Sequence, residues 1–247
     1  MVLPCYDEAD SLQRVVEEVL ETAPAAHVLI VDDASPDGTG RIADRLAVDP
    51  RVSVLHRPGK LGLGTAYLAG FDRALAEGYE RVVEMDADGS HLPEQLPALL
   101  AASEQSGLVI GTRWMPGGAI VGWPLYRRLL SRTGTRVARV ALRSRLRDIT
   151  SGFRVLDTAW LPLLGLDRVA AQGYAFQVET AWSFERLGCP ITEVPITFVD
   201  RAAGRSKMSP AIVAEALRLV LLWGWRLRFG GGAEPAQQDR RSAPASA

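Results

Sequence analysis

The stretch "VVEMDADGSH", residues 82 to 91, guides the interpretation of the chain around it. It begins with an apolar run typical of a strand and continues into two aspartates, Asp86 and Asp88, one residue apart. Such a pair offers hard oxygen ligands that suit Mg²⁺ or Mn²⁺ held partly by substrate phosphates. Two aspartates in a turn are, on their own, more often solvated or capping a helix. Here the next helix has its own start signal before Pro93, which favours the ligand interpretation.

Apolar runs of the same kind recur along the chain, with helical stretches between them. The predicted strands are residues 1–4, 27–33, 51–56, 81–86 and 107–111, and the predicted helices are 10–22, 39–47, 65–77 and 93–102. This alternation predicts an α/β fold with a mostly parallel central sheet flanked by helices. Ligands bind beyond the carboxyl ends of such strands, so we expect residues 5–8, 32–38 and 86–91 to converge on one cleft.

An arginine-rich segment follows a loop of Gly, Pro and Trp residues at 114–124. Between residues 105 and 147 there are nine arginines and no Asp or Glu, so this segment should attract anions. Five of the arginines fall on one face of a predicted helix and are Arg128, Arg132, Arg136, Arg139 and Arg143. Apolar residues fall on its other faces and include Leu129, Leu130, Val137, Val140 and Ala141. The pattern predicts either a helix on an anionic membrane surface or a solvated charged face over the core.

The remaining sequence predicts strands at 149–157 and 191–199 and helices at 176–187 and 209–229. The longest apolar run of the last helix, residues 219–225, is far shorter than the roughly 20 residues that span a bilayer. This helix either lies in a membrane interface or packs on the core; the residues that favour the interface are Trp223, Trp225, Arg226 and Arg228. The tail, 230–247, has a composition typical of disorder.

Length and composition predict one α/β domain with appendages. We place the domain at 1–208, with the arginine-rich segment 113–147 as a possible membrane interface within it, followed by an amphipathic helix at 209–229. The two cysteines have no spacing typical of a metal site or a disulfide framework, and no secretory signal opens the sequence. We therefore expect a cytoplasmic protein, and no nucleic-acid partner. The only lysines, Lys60 and Lys207, both fall in loops containing glycine or serine.

Two further motifs follow predicted strand ends. In "VDDASPDGT", residues 31–39, aspartate side chains can accept hydrogen bonds from a nucleobase or ribose; the alternative is a well-formed turn only. In "GKLGLGT", residues 59–65, glycines permit close backbone approach, and the following helix offers its N-terminus to anionic groups. The order of residues is not that of a P-loop, and the full dinucleotide fingerprint is missing. These observations argue against a P-loop nucleotidase and a Rossmann dehydrogenase.

The motifs, taken together and in order, resemble the family 2 glycosyltransferases of GT-A fold, and more closely the polyprenol (dolichol) monophosphate mannose synthases. The supporting segments are "LPCYDEAD", "VDDASPDGT", "GLGTAYLAG", "MDADGSH", "GTRW", "DITSGFRVL" and "DRAAGRSK". The resemblance covers about residues 3 to 208 and implies a GT-A nucleotide-sugar-binding fold with amphipathic interface helices. Only three residues precede Pro4, so either the first strand is short or the chain begins late.

The resemblance assigns residues to the nucleotide sugar and to the cation. The residues implied to bind GDP-mannose are Pro4, Tyr6, Glu8, Val31, Asp33, Asp86, Ala87, Asp88, Arg113, Arg201 and Lys207. The implied ligands of a divalent cation, Mg²⁺ or Mn²⁺, are Asp86, Asp88 and Ser90. Relatives often carry Gln at the position of Ser90, so either this serine or a water would be the third ligand.

The resemblance also implies an acceptor site and a catalytic set. The residues implied to bind the acceptor phosphate are Arg113, Arg127 and Ser131, and the catalytic residues are Asp88, Arg113, Arg201 and Lys207. Arg suits bidentate phosphate contacts, whereas Lys supplies a compact charge. Arg201 and Lys207 match a mobile loop that closes over both substrates. His91 is interpreted as a capping or hydrogen-bonding residue.

The implied reaction is an inverting transfer of mannose from GDP-mannose to a polyprenyl monophosphate, giving the β-linked mannosyl phosphate and GDP. The nucleophile is already anionic, so a dedicated general base is less necessary. The protein would act at the cytoplasmic face of a membrane, bound peripherally to its anionic surface. Two alternatives remain at this stage: a glucosyltransferase using UDP-glucose on the same acceptor, and a catalytically silent membrane-bound nucleotide sensor.

Overall fold

The computed structural model describes residues 1–165, 174–201 and 210–229 of the chain. The strands in these residues are Val2–Cys5 (β1), Val28–Asp32 (β2), Val52–His56 (β3), Arg81–Glu84 (β4), Leu108–Thr112 (β5), Ala119–Val121 (β6), Arg154–Asp157 (β7), Ile191–Pro195 (β8) and Thr197–Val199 (β9). The α-helices are Leu12–Thr22 (α1), Thr39–Leu46 (α2), Leu63–Ala76 (α3), Leu96–Ala102 (α4), Leu125–Leu142 (α5), Tyr174–Arg186 (α6) and Pro210–Phe229 (α7). Short 3₁₀ segments cover Pro93–Gln95, Ser103–Gln105 and Thr158–Leu164.

The central sheet has seven strands in the order β3-β2-β1-β4-β7-β5-β8. Its strands run parallel except for β7, which lies antiparallel between β4 and β5. The prediction of an α/β fold with a mostly parallel sheet is therefore confirmed. Because β1, β2 and β4 are adjacent and parallel, their carboxyl ends lie side by side at one edge.

Helices cover both faces of this sheet because each presents one apolar side to it. Helix α1 buries Leu12, Val15, Val16 and Val19, whose spacing places them on one face. Full burial of each side chain of this size stabilises the fold by about 1.5–3 kcal/mol. On the other face, the ring of Tyr67 in α3 stacks on Phe176 in α6 with centroids 5.9 Å apart. The sheet thus separates two apolar cores and holds its strand ends rigidly.

The predicted single strand at 191–199 is wrong: the chain forms two strands there, in different sheets. Strand β8 pairs with β5, whereas β9 pairs with β6 in a separate two-stranded sheet. The switch occurs at Ile196, whose N–H donates to the Thr112 carbonyl while its own carbonyl accepts from Ala119. The predicted loop at 114–124 likewise contains a strand, β6, that supports this second sheet.

Helix α5 forms as predicted, but its buried face consists mainly of small residues: Thr135, Ala138 and Ala141, with Leu142 at the end. Leu129, Leu130 and Val140 are exposed, at 65%, 50% and 65% of their surface. Ala138, Ala141 and Leu142 pack into the core, so the helix has an apolar core face, and whether its outer face lies on a membrane stays a prediction. Its outward surface combines leucines with arginines.

Helix α7 packs against α5 and α6 and also leaves apolar side chains exposed. Trp223 stacks on Trp182 of α6, and Arg228 donates hydrogen bonds to the Ala141 and Val140 carbonyls at the end of α5. Gly224 permits this close approach, because a Cβ there would lie 2.7 Å from the Ala141 oxygen. Trp225 on the opposite side is 59% exposed. Among the helices that the structure describes, none is long and apolar enough to cross a bilayer. The predicted tail at 230–247 lies outside the described residues.

Candidate active site

The loops after β1, β2 and β4 meet in one cleft at the carboxyl edge of the sheet. Backbone N–H groups of Glu8 and Ala9 donate to Thr39 Oγ1 and Asp37 Oδ2, at 2.9 and 3.0 Å. Ser11 at the start of α1 donates its hydroxyl to the Ala87 carbonyl at 2.8 Å. The predicted convergence of these three segments is therefore observed, and the bonds between them fix the spacing of the loops.

Asp33, predicted to bind the nucleoside, also organises the glycine-containing loop. Its Oδ1 lies 2.8 Å from Arg57 Nη1, and both side chains are more than nine-tenths buried. Its Oδ2 accepts the N–H groups of Leu61 and Gly62 at 3.1 and 3.0 Å. Asp33 thus sets the start of α3 relative to the strand ends. Arg57 was not predicted, because an arginine in an arginine-rich chain gives no local signal of such a role.

The other residues predicted for the nucleoside lie at the ends of β1 and β2. Pro4 and Val31 are opposite each other in the β1–β2 ladder, with Val31 fully buried and Pro4 partly exposed. Tyr6 lies beneath Lys60, whose Nζ is 4.0 Å from the ring centroid, a cation–π distance. Glu8 is half-buried beside α1. These residues form one wall of the cleft, next to the aspartate pair.

The aspartate pair lies in the turn that follows β4. Gly89 adopts φ +75°, a left-handed conformation that glycine adopts without strain, and this turn brings the Ser90 N–H to Asp88 Oδ1 at 2.9 Å. The other oxygen of Asp88, Oδ2, lies 2.9 Å from Arg201 Nη2. The Asp88 side chain is 7% exposed, whereas that of Asp86 is 35% exposed and faces the cleft.

The two carboxylates have opposite pKa shifts. Burial, and secondarily the charge of Asp88, raise the pKa of Asp86 above its ordinary value. For Asp88 burial acts in the same direction, but interactions with Ser90 and the charge of Arg201 outweigh it, so the pKa of Asp88 is lowered. The pair therefore favours a single negative charge until further positive charge is added beside it.

His91 positions this turn. Burial lowers its pKa to about 4, so the imidazole is neutral near neutral pH. The Asp86 N–H donates to its Nδ1 at 3.2 Å, which assigns the ring proton to Nε2. Its ring centroid lies 5.2 Å from that of Phe153 and 5.2 Å from that of Phe198. His91 therefore has the hydrogen-bonding role that the sequence suggested.

The residues at this turn fit a hard divalent cation. Asp86 and Asp88 supply carboxylate oxygens, and the Ser90 side chain is buried two residues after Asp88. Within residues 1–165, 174–201 and 210–229, no group of three or more His, Cys, Asp or Glu side chains is arranged to hold a metal. A cation here would therefore complete its shell with phosphate, water or hydroxyl oxygens, which suits Mg²⁺ or Mn²⁺ better than a closed structural zinc site.

Arg113, predicted for the acceptor phosphate, is held by a buried carboxylate. Its Nε and Nη2 lie 2.7 and 2.8 Å from the two oxygens of Asp148, and Nη2 also donates to Thr150 at 3.0 Å. Burial opposes ionisation of Asp148, but the charge and hydrogen bonds of Arg113 lower its pKa. This bidentate pair orients the guanidinium before any substrate binds. Asp148 was not predicted, although it is the first acid after the acid-free segment.

Arg127 approaches the same tryptophan as Arg113. The Arg113 and Arg127 guanidinium carbons lie 5.7 and 4.2 Å from the Trp123 ring. Arg127 Nη1 also lies 2.8 Å from an oxygen of Asp200, next to Arg201. The structure thus brings Arg113, Arg127 and Arg201 to one side of the cleft.

Ser131 and Lys207 complete the predicted set. Ser131 is half-buried on α5, one turn after Arg127, and the structure records no hydrogen bond that ties it to the arginines among the described residues. Lys207 lies outside the described residues. Asp200, which pairs with Arg127, was not predicted as a site residue, although it opens the quoted "DRAAGRSK" motif.

Comparison with known proteins identifies close relatives. Residues 1–162 match the model of glycosyl transferase family 2. A Micrococcus luteus protein named undecaprenyl-phosphate mannosyltransferase is 49% identical over 231 residues, which are 93% of this chain and 95% of that protein. A Mycolicibacterium smegmatis protein named polyprenol monophosphomannose synthase is 46% identical over 232 residues, covering 93% of this chain and 88% of that one.

Solved structures share the fold. Glucosyl-3-phosphoglycerate synthase from Mycobacterium tuberculosis, in complex with Mn²⁺, uridine diphosphate and glucosyl-3-phosphoglycerate, superposes with a TM-score of 0.66 at 21% identity. The match covers 93% of this chain and 78% of that one. The predicted GT-A fold is confirmed by this likeness and by the family match. Since the family model covers well over half of the sequence, the chain belongs to glycosyl transferase family 2.

Proposed function

We propose that this chain transfers mannose from GDP-mannose to a polyprenyl monophosphate, with inversion, releasing GDP. The observation that carries the proposal is an aspartate pair in a cleft, faced by Arg113, Arg127 and Arg201. An acidic turn and a cationic wall suit a reaction between a nucleotide sugar and an anionic acceptor. Relatives at 49% and 46% identity, named for mannosyl transfer to such lipids, support the choice of sugar and acceptor.

On the donor side, Tyr6, Glu8 and Asp33, with Pro4 and Val31, would hold the nucleoside against the strand ends. Asp86 and Asp88, with Ser90 as a candidate third ligand, would hold Mg²⁺ or Mn²⁺ next to the Ala87 backbone. A divalent cation bound there supplies positive charge that offsets the charge on the leaving diphosphate.

On the acceptor side, the attacking oxygen belongs to a phosphate and is already anionic, so no proton has to be removed. His91 is not arranged as a base, because its Nδ1 already accepts the Asp86 N–H and burial lowers its pKa to about 4. Arg113, fixed by Asp148, would bind the acceptor phosphate with Arg127 and Ser131. Arg201 and Lys207 would align both phosphates. Direct displacement from the face opposite the diphosphate inverts the anomeric centre.

We further propose that the protein binds peripherally to the cytoplasmic face of a membrane. Leu125, Tyr126 and Leu129 on α5 are exposed beside Arg132 and Arg136. Each arginine near an anionic surface contributes about 1 kcal/mol. The exposed side of α7 adds further apolar groups, namely Leu221, Trp225 and Phe229. This combination is typical of a helix pair that lies in the headgroup region.

A donor-choice assay tests the reaction. The purified full chain is incubated with Mg²⁺, a short polyprenyl phosphate and either radiolabelled GDP-mannose or radiolabelled UDP-glucose. We expect label in the lipid from GDP-mannose only. Label from UDP-glucose only would establish the glucosyltransferase alternative, and nucleotide binding without lipid product from either donor would favour the sensor. Flotation with anionic liposomes tests the membrane proposal, which fails if binding is not salt-sensitive.

A further inference from the structure

An arginine is buried in the central sheet behind the cleft. Arg154 is the first residue of β7 and lies opposite Glu84 of β4 in the antiparallel ladder. Both side chains are at most 1% exposed, and Arg154 Nε lies 3.9 Å from Glu84 Oε2, an ion-pair distance rather than a hydrogen bond. Buried pairs often stabilise a fold no more than apolar residues of similar volume would. A role in folding alone is therefore a weak explanation for these two buried charges.

The Arg154 guanidinium is bonded to the loop before β7, which also holds Arg113. Its Nη2 donates to the Ile149 carbonyl at 2.8 Å, in a buried hydrogen bond. The two chain neighbours of Ile149, which are Asp148 and Thr150, both contact the Arg113 guanidinium. Asp148 also accepts the Arg113 backbone N–H at 3.1 Å. The position of the Ile149 carbonyl thus determines where the partners of Arg113 lie.

The same loop and the partner of Arg154 also lead to the aspartate pair. Glu84 is the last residue of β4, two residues before Asp86. Gly152 of the loop packs against the Asp86 side chain, because a Cβ added at this glycine would lie 3.7 Å from Asp86 Oδ1. Arg154 therefore lies between the strand that carries the aspartates and the loop that orients Arg113, and it contacts both.

The chemistry of the guanidinium suits this connecting position. Burial lowers the pKa of Arg154, whereas the charges of Glu84 and Asp148 raise it. A guanidinium keeps its charge under ordinary conditions, and its planar fork contacts two groups in fixed directions. A lysine has a compact charge without this fork, and an apolar side chain has no donor. Neither can hold the loop carbonyl and the carboxylate in the same arrangement.

We propose that Arg154 is a positioning residue for the transfer reaction, because it fixes the distance between the Arg113 guanidinium and the aspartate pair. It is too deeply buried to contact a substrate and acts through the Ile149 carbonyl and Asp148. The inference rests on the proposed function, in which Arg113 binds the acceptor phosphate and the aspartates bind the cation. A displacement of about 1 Å between such groups can cost about a hundredfold in rate.

The main test replaces the buried pair by apolar residues. In the double variant Glu84→Met with Arg154→Met the core keeps a similar volume, so its melting by circular dichroism should stay close to that of the wild type. The bond to the Ile149 carbonyl is lost. We expect kcat/KM for a short polyprenyl phosphate to fall about ten- to hundredfold, with a raised acceptor KM. A role in folding alone would leave the acceptor KM unchanged.

Two further variants separate positioning from stability. Arg154→Lys keeps a positive charge beside Glu84 but loses the fork, so its kcat/KM should fall by only about three- to tenfold. Val52→Ala removes buried side-chain volume from β3, which three strands separate from β7. This control should melt at a lower temperature yet keep kcat/KM and the acceptor KM within about twofold.

Coupling to Arg113 is measured in two ways. When the double Met change is added to Arg113→Gln, kcat/KM should fall by less than about threefold further, because the group that Arg154 positions is already absent. The Arg113 Nε–H signal in a nitrogen-15 spectrum is assigned by its loss in Arg113→Gln. In the double Met variant this proton should exchange with water about tenfold faster, the order expected when a supporting hydrogen bond is lost.

Three results would overturn the proposal. They are wild-type kinetics in a folded double Met variant, losses that multiply fully with that of Arg113→Gln, and unchanged proton exchange at Arg113. If the double Met variant does not fold, Arg154→Lys is compared instead, and wild-type kinetics with wild-type exchange in it would refute the positioning role. The exchange measurement needs neither donor nor acceptor. A wild type that transfers no sugar would therefore refute the proposed function, whereas the exchange rates would still test the role of Arg154.

Discussion

Replacing Arg201 with glutamine should tighten divalent cation binding while it lowers turnover. Arg201 Nη2 lies 2.9 Å from Asp88 Oδ2, and the two side chains are 20% and 7% exposed. The remaining oxygen of Asp88 accepts the Ser90 N–H. Arg201 therefore supplies to Asp88 the positive charge that a cation would otherwise supply. A cation that binds at this turn has to compete with that charge.

The size of the effect follows from the contact. A hydrogen bond to a charged group contributes about 1.5–3 kcal/mol when it is well shielded. Arg201 is partly exposed, so we expect about 1–2 kcal/mol, or about five- to thirtyfold in the Kd for Mn²⁺. The cation-free variant should also unfold at lower temperature, because Asp86 and Asp88 lose a neutralising neighbour. Mn²⁺ should reverse this loss, since it binds the folded state.

The assay is a titration of the full chain with Mn²⁺, without nucleotide, in which the free ion is followed by electron paramagnetic resonance. Arg127→Gln is the matched control, because it removes an arginine paired with Asp200 rather than with Asp88. Its Kd should change by less than about twofold, since the charge of Arg127 is offset by Asp200 and partly screened by solvent. Unchanged or weaker Mn²⁺ binding by Arg201→Gln would refute the reasoning. Turnover is measured separately and should fall, because Arg201 is also proposed to align the phosphates.

Three further predictions follow from the same contacts. Because burial and Asp88 raise the pKa of Asp86, a proton competes with the cation: the Kd for Mn²⁺ should fall as pH rises through that raised pKa and then level off. Asp148→Asn leaves the buried Arg113 without its carboxylate and should destabilise the fold by about 3–5 kcal/mol, measured by denaturant unfolding. The control is Asp49→Asn, which breaks a more accessible pair with Arg51 and should cost less. Leu129→Glu should weaken liposome flotation yet leave transfer to a soluble short acceptor within about twofold, because exposed substitutions rarely disturb the fold.

The strands and helices of the first half were predictable because their signals are local. Each of the strands β1 to β5 is a short apolar run, and the helices between them have apolar residues that recur every three or four positions on one face. The carboxyl ends of such strands necessarily share an edge, so the position of Asp86 and Asp88 followed from the pattern. The division of residues 191–199 into two strands at Ile196 could not be predicted in this way. The alternation of apolar and polar residues continues through Pro195, and the strand is divided only because β8 pairs with β5 while β9 pairs with β6.

The buried face of α5 was missed for a different reason. Hydropathy assigns leucines to the core, but the buried residues are Thr135, Ala138 and Ala141, and α7 approaches closely at Ala141. Close helix crossing requires small residues, which carry little hydropathy signal. Because small residues fill the buried face, Leu129 lies on the surface and does not contribute to the core. Asp148 and Asp200, which pair with Arg113 and Arg127, were also not predicted. Ion pairs between residues far apart in the sequence produce no recognisable spacing pattern.

Among the described residues, four Asp–Arg pairs lie at the cleft, and they are of two kinds. The four pairs are Asp33–Arg57, Asp148–Arg113, Asp200–Arg127 and Asp88–Arg201. In the first two, both side chains are at most 8% exposed, so breaking either leaves a buried charge without compensation. In the Asp200–Arg127 pair the side chains are 35% and 16% exposed, and in the Asp88–Arg201 pair they are 7% and 20% exposed. Asp200 and Arg201 are adjacent residues that follow β9. Because solvent reaches these two pairs, separating them so that a charged substrate can bind requires much less free energy than separating the buried pairs. The buried pairs therefore form the fixed frame of the site, whereas the pairs of Asp200 and Arg201 are the ones that cost less free energy to break.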